Sequence, residues 1–295
     1  MNIVGRRKIF YTLSLILIVL SVLALAFWKL EPGIDFVGGS LMEVQFEKSV
    51  SENNLKDVLK SFNLGGLEVI AKSNNAYLVR ARFIDEKTHQ EILEALSEKL
   101  APLKESKFET IGPSIGEELR NKAIFAWVLA LFGIAVYVAF AFYKVSKPVS
   151  SWKYGIITVL TLFHDAFIAL GIYTIWAHFS HSYADSALVV ALLTVMGYSV
   201  NDTIVVFDRT RENLRKKLGQ IPFNEIVNLS VNETLARSIN TSLTTCLPLI
   251  ALLIFGPASL FNFALVILVG ILIGTYSSIA IASPLLVTWS GKQQK

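Results

Sequence analysis

Cysteine is nearly absent: the 295 residues hold one, Cys246. A lone cysteine excludes an internal disulfide, and its place inside an apolar run reads as a small core filler. Histidine is scarce as well. His89, His164, His178 and His181 have no cysteine partners and no HExxH spacing, so no metal site is expected. Charge is thin, with 17% of residues Asp, Glu, Lys or Arg, where a soluble domain carries about 25%. That shortfall excludes an ordinary water-soluble globule for most of the chain. Hydrophobic residues make up 53% of the sequence, and the mean hydropathy is +0.54. The net charge of +4 points to no nucleic acid, because the basic residues gather at the ends of apolar runs, where they set membrane topology.

What is present is a set of long apolar runs. The first, Ile9 to Trp28, follows Arg6, Arg7 and Lys8. Its length of about 20 residues matches a bilayer core of roughly 30 Å. Ala24-Leu25-Ala26 imitates a signal-peptidase site, but the run is long for a cleaved leader and the later topology works with it retained. Five more runs follow, near Lys122–Tyr143, Lys153–Trp176, Ser186–Phe207, Ser238–Phe255 and Leu260–Trp289. The expected class is therefore an α-helical polytopic membrane protein with six transmembrane helices and one extracytoplasmic α+β ferredoxin-like domain between helices 1 and 2. The expected divisions are a cytoplasmic N-terminus at 1–8, helix 1 at 9–29 and the outer domain at 30–121. A five-helix membrane domain at 122–290 has cytoplasmic loops at 144–152 and 208–237, with a cytoplasmic tail at 291–295.

The outer segment alternates in short elements. Leu41–Phe46, Leu67–Ala71, Ala76–Phe83 and Lys107–Ile111 read as strands, with Lys72-Ser73-Asn74-Asn75 as a hairpin turn. Ser51 caps a helix to about Phe62, and Asp85 caps another to about Leu100 with Ile92, Leu93 and Leu96 on one face. The order βαββαβ is that of a ferredoxin-like domain, and no catalytic constellation is visible in it.

Lys and Arg placement orients the spans. Lys144, Lys147 and Lys153 lie between spans two and three. Arg209, Arg211, Arg215, Lys216 and Lys217 follow span four, and Lys292 and Lys295 follow span six. The loops His178–Asp185 and Gly256–Ser259 contain neither residue type. Both termini are thus expected in the cytoplasm.

Ionised side chains in a bilayer core are unfavourable by about 2.5–3.5 kcal/mol on insertion scales, so they persist with a partner, a water-filled cavity or a function. Asp202 in span four lies roughly 10 Å in from Arg209 at helical rise, flanked by Asn201 and Thr203, with Ser199 and Tyr198 on its face. Asp165 in span three lies roughly 18 Å in from Lys153, with Thr158 and Thr161 on its face. His164 adjoins it but is set about 100° round the helix. Arg237 opens span five, and Asn240, Thr241, Thr244 and Thr245 continue a polar stripe. Ile239, Leu243, Cys246 and Leu247 fall on the opposite side. Asp202, Arg237, Asp165, Asn201, Thr241 and Thr245 are the candidate ion pathway, because burial and nearby donors pull a carboxyl group in opposite directions. Helix gluing is the bland alternative. Gly270 and Gly274 form a GxxxG, read as close helix packing.

Several motifs together resemble one family. They are Gly33-Ile34-Asp35-Phe36-Val37-Gly38-Gly39, Gly112-Pro113-Ser114-Ile115-Gly116-Glu117-Glu118-Leu119, His164-Asp165, Gly197 to Arg209 and Thr234 to Thr245. In this order they resemble the SecF subunits of the bacterial SecD–SecF protein-export complex, within the resistance-nodulation-division superfamily. The resemblance implies a bacterial inner-membrane protein that pairs with SecD. Together they would use the proton-motive force to promote preprotein translocation through the SecYEG channel with other Sec accessory proteins. It implies proton-pathway roles for Asp202 and Arg237. The implied coupling ion is H⁺, with Na⁺ the alternative, and no cofactor or enzymatic activity is implied. The family usually has Ser-Arg-Thr where this chain has Ala236-Arg237-Ser238. Gly38, Gly39, Gly112, Pro113 and Gly116 are candidate hinges, since glycine tolerates backbone angles closed to other residues.

Three other functions compete. An intramembrane protease lacks a GxGD context around either aspartate and a histidine in span six. Half of a small-molecule exporter would carry a much larger outer domain. A passive translocon-stabilising scaffold leaves the polar stripe idle.

Overall fold

The computed structural model describes residues 1–72, 74–143 and 149–290. Six helices are long and apolar enough to cross a membrane: Val4–Trp28, Pro113–Ala141, Ser151–Ser180, Ser186–Lys217, Phe223–Phe255 and Ala258–Ser290. The chain separates into two compact units. One comprises Met1–Leu30, Phe125–Ser182 and the chain from Ala187 onward; the other comprises Glu31–Ile124 together with Tyr183–Ser186.

In the membrane unit, α1 (Arg7–Trp28) follows a short turn at Val4–Arg6. The sheet unit begins with α2 (Ile34–Val37), β1 (Gly39–Phe46), α3 (Glu52–Lys60), β2 (Glu68–Ala71) and β3 (Ala76–Ala81). It continues with α4 (Glu86–Lys99) and β4 (Leu103–Ile111). The remaining spans are α5 (Pro113–Ala141), α6 (Ser151–Ser180), α7 (Ser186–Lys217), α8 (Phe223–Phe255) and α9 (Ala258–Ser277). A wide π-type turn at Ser278–Ala282 joins α9 to α10 (Ser283–Ser290).

The strands order as β2-β3-β1-β4, and every pairing is antiparallel. Two β–α–β units therefore interleave. Both expected caps form: the Ser51 side chain accepts from Asn54 N and Asp85 from Thr88 N, satisfying donors a helix start leaves open. Met42, Val44 and Phe46 point from β1 into a core shared with Leu55 and Leu59 of α3 and Ile92 and Leu96 of α4. This alternation is what a sheet with one covered face requires. Asn74 and Asn75 adopt positive φ, +61° and +58°, as a tight hairpin demands; Ser73 of that turn lies outside the described residues. The short α2 had no signal in hydrophobic periodicity, being a single turn.

In the membrane unit, α6 and the α9–α10 span are the most enclosed and α5 is the least. Small residues set the contacts. A Cβ on Gly171 of α6 would stand 2.2 Å from the Ser21 Cβ of α1, and one on Gly270 of α9 would stand 2.1 Å from Val195 Cγ2 of α7. The GxxxG is thus a packing seam, as read. At one end Phe142 and Tyr154 stack at 5.1 Å, with Phe207 edge-on to both. There the amino end of the chain meets α8. The Asn228 side chain accepts from Ile3 N and Val4 N, and Asn232 accepts from the terminal amine.

The stretch 208–237 between the two apolar runs is helical at both ends, with α7 running to Lys217, a turn at 218–222 and α8 starting at Phe223. Falling hydropathy had marked where the apolar run ends, not where the helix ends. The polar ends are held by Arg209 to Glu233 and Glu212, both 2.6 Å, and by Asn213 to Ser230 at 3.0 Å. Lys144, Lys147 and the tail lysines lie outside the described residues.

Candidate functional site: buried carboxylates in a hydroxyl cluster

Asp165 sits mid-way along α6 and is fully buried. Three neighbours reach it. Ser199 of α7 donates to Oδ2 at 2.5 Å, Ser277 of α9 donates to the same oxygen at 2.7 Å, and His164 Nδ1 lies 2.7 Å from Oδ1. The expectation that His164 points away is corrected. Adjacent helix positions differ by about 100° at the backbone, yet a flexible side chain bends back to its neighbour. His164 Nε2 is buried without a partner.

Asp202 lies one turn beyond Ser199 on α7 and is 3% exposed. The hydroxyls of Thr275 and Ser238 neighbour it, yet among the described residues neither Asp202 Oδ2 nor Ser238 Oγ meets a hydrogen-bond partner. Thr275 and Ser242 bond each other, and Thr203 bonds Ser278 at 2.9 Å. An unpaired buried polar atom is unfavourable by about 1–3 kcal/mol. Such an atom is an exception, since the great majority of buried polar groups in native structures are paired.

The hub of the cluster is the run Thr275-Tyr276-Ser277-Ser278, at the end of α9 and the first residue of the π-type turn. Thr275 meets α8, Tyr276 meets α1 through Ser14 and the Phe10 carbonyl, Ser277 meets α6 and Ser278 meets α7. A helix presents four consecutive residues to four directions, so one polar run serves four neighbours. Sequence reasoning missed Ser238, Ser242, Thr275, Ser277 and Ser278. The available signal was four consecutive polar residues inside an apolar span.

The other predicted residues stand elsewhere. Arg237 and Asn201 are exposed, and Thr241 and Thr245 are half-buried. Thr245 lies 3.4 Å from the Tyr198 hydroxyl across α7 and α8. Arg237 forms no ion pair with Asp202 among the described residues. Cys246, placed with the outward apolar face, is instead buried in line with Ser238 and Ser242. So the six candidates divide into a buried acidic cluster and a polar stripe along the outer side of α7 and α8.

The glycine motifs are close-packing sites. Gly38 and Gly39 have φ of +73° and +128°. A Cβ on Gly116 would stand 2.7 Å from Gly38 N, and one on Gly38 would stand 2.8 Å from Pro113 Cα. Pro113 is the first residue of α5, where its missing N–H is harmless. Gly112 has open space around its Cβ position.

Every group in the buried cluster is a proton donor or acceptor. The Ser199 hydroxyl is committed to Asp165. The fold and cluster together define a polytopic membrane protein with titratable groups held between its helices.

Comparison with known proteins gives the family. The family described as "Protein export membrane protein SecD/SecF, C-terminal" matches residues 92–292, and "SecD/SecF GG Motif" matches residues 25–50. The protein translocase subunit SecF of Thermobaculum terrenum is 39% identical, across 99% of this chain and 94% of its own. The protein translocase subunit SecDF of Bacillus subtilis is 32% identical across 99% of this chain, which spans 38% of that longer protein. A crystal structure of SecDF from Thermus thermophilus, described as a translocon-associated membrane protein, matches with TM-score 0.83 and 35% identity. That match covers 99% of this chain and 39% of the other. The chain belongs to the SecD/SecF protein-export family, on its SecF side.

Proposed function

We propose that this chain pairs with SecD in the bacterial inner membrane and uses the proton-motive force to promote preprotein translocation through the SecYEG channel. Both termini face the cytoplasm in this reading. The carrying observation is Asp202, a buried carboxylate with an unpartnered oxygen one helical turn along α7 from Ser199, which bonds Asp165. A proton moved across 100 mV releases about 2.3 kcal/mol, enough to favour one arrangement of the hydroxyls over another. The coupling ion is H⁺, with Na⁺ the alternative, and the chain performs no covalent chemistry and needs no cofactor.

Two further facts support a SecD partner. Relatives carry a SecF-like part within one longer SecDF chain. Asn201 of α7 and Arg237 of α8 leave exposed polar groups on the outer side of two spans, where lipid offers no partner. A second membrane half supplies them.

The test is Asp202→Asn, which keeps size and removes the charge, co-expressed with SecD. Export is measured with and without a membrane potential and pH gradient, and blotting establishes assembly. Loss of the gradient-dependent part is expected; wild-type export by an assembled variant would favour the passive scaffold. The saturated bonding of Asp165 is the observation that favours that second reading.

A further inference from the structure

The segment Tyr183–Ser186 joins α6 to α7, yet it belongs to the sheet unit. Its backbone pairs with the start of the glycine motif: Gly33 N donates to the Ala184 carbonyl at 2.6 Å and Ala184 N to the Glu31 carbonyl at 2.8 Å. A Cβ on Gly33 would stand 2.9 Å from the Ala184 carbonyl oxygen, so glycine permits the approach. The Tyr183 hydroxyl donates to Glu68 Oε2 at 3.0 Å, and the Arg80 guanidinium lies 4.4 Å above the Tyr183 ring. Arg80 also donates to the Pro32 carbonyl at 2.7 Å. The last anchor is Asp35. Its Oδ2 accepts from Ser186 N at 2.7 Å and from the Ser186 hydroxyl.

Ser186 is the first residue of α7. Backbone N–H groups there have no partner within the helix, and the helix dipole favours a carboxylate beside them. Asp35 therefore caps the helix that carries Asp202. The two positions are 16 residues apart (202 minus 186) on one uninterrupted helix, about 24 Å at helical rise. A continuous helix carries rotation and axial shift along its length without a loop to absorb them.

We propose that Tyr183–Ser186 is a strap through which the sheet domain sets the position of α7, and that Asp35 is the positioning residue at its end. The proposal rests on the proton-coupled reading above. A change in the sheet domain pulls on the first turn of α7 and alters which hydroxyls stand beside Asp202. A proton arriving at Asp202 acts on the sheet domain by the same route in reverse. This gives Gly33 and Asp35 of the glycine motif a role separate from the close packing at Gly38 and Gly39.

The experiment uses the full chain co-expressed with SecD and compares Asp35→Ala, Asp35→Asn and Asp202→Asn. It reads the gradient-dependent part of export against the gradient-independent part, and amide hydrogen exchange in the first turn of α7. Asp35→Ala is expected to lose most of the gradient-dependent part and to speed exchange there. Asp35→Asn, which still offers an acceptor oxygen, is expected to restore both. If Asp202→Asn loses gradient dependence while Asp35→Ala keeps it, the strap is overturned and the parent reading stands. If Asp202→Asn keeps it, the parent reading fails and the strap fails with it as a coupling device. Should Asp35→Ala not assemble with SecD, Tyr183→Phe decides. Reduced gradient dependence supports the strap, and wild-type behaviour overturns it.

Discussion

Ser199 donates its hydroxyl hydrogen to Oδ2 of Asp165 across 2.5 Å, joining α7 to α6 at the centre of the bundle. Ser277 completes that oxygen from α9. Ser199→Ala and Ser277→Ala each leave a buried carboxyl one donor short. Membrane hydrogen bonds average about 0.6 kcal/mol with a maximum near 1.7, and a fully buried carboxyl acceptor belongs at the upper end. Each variant is expected to destabilise the chain by about 1–2 kcal/mol in detergent melting. The double variant is expected to fall short of the sum, since both act on one oxygen.

Gly270→Ala tests the seam between α9 and α7. In an open helix alanine would gain about 0.5–1 kcal/mol. Here its Cβ would overlap Val195 Cγ2 at 2.1 Å, and Val195 is fully buried with a stiff branched side chain. Overpacking wins, so a net loss of about 1–3 kcal/mol is expected, read as a lower melting temperature. Stabilisation would contradict the seam.

Arg237 is exposed in this chain. Arg237→Ala is therefore expected to leave the melting of the isolated chain within about 0.5 kcal/mol and to reduce co-purification with SecD. The opposite pattern would return Arg237 to a structural role within the chain.

Tyr183 supplies a pH dependence outside the spans. Burial pushes its hydroxyl up from 10.0 to about 12, and the bond to Glu68 and its charge push the same way. The folded value is raised, so this contribution to the strap is fully present below pH 10.0 and is lost as pH rises towards about 12. Alkaline titration followed by tyrosine absorbance should show a late-ionising component that Tyr183→Phe removes. Identical titrations would place Tyr183 in water.

Much of the fold was legible in the sequence. Ser51 and Asp85 announced their helices by cap chemistry, and the strands alternated as a one-sided sheet must. The acids Asp165 and Asp202 were found because a charge in an apolar run has no cheap explanation. What failed was direction. Span five carries polar groups on two faces, and periodicity favoured the richer one, Arg237 to Thr245, over Ser238 and Ser242. Those two serines are small enough to read as filler. The Thr275–Ser278 run has no periodicity, because its members face different neighbours. The strap was invisible for a different reason: Asp35 and Ser186 are 151 residues apart, and only the fold brings them together.

The most direct measurement is proton flux through the chain reconstituted with SecD in proteoliposomes, with an imposed pH gradient and a translocating preprotein. The account predicts dissipation that rises with translocation and is lost in Asp202→Asn while assembly is retained. Equal dissipation by the wild type and Asp202→Asn would contradict it.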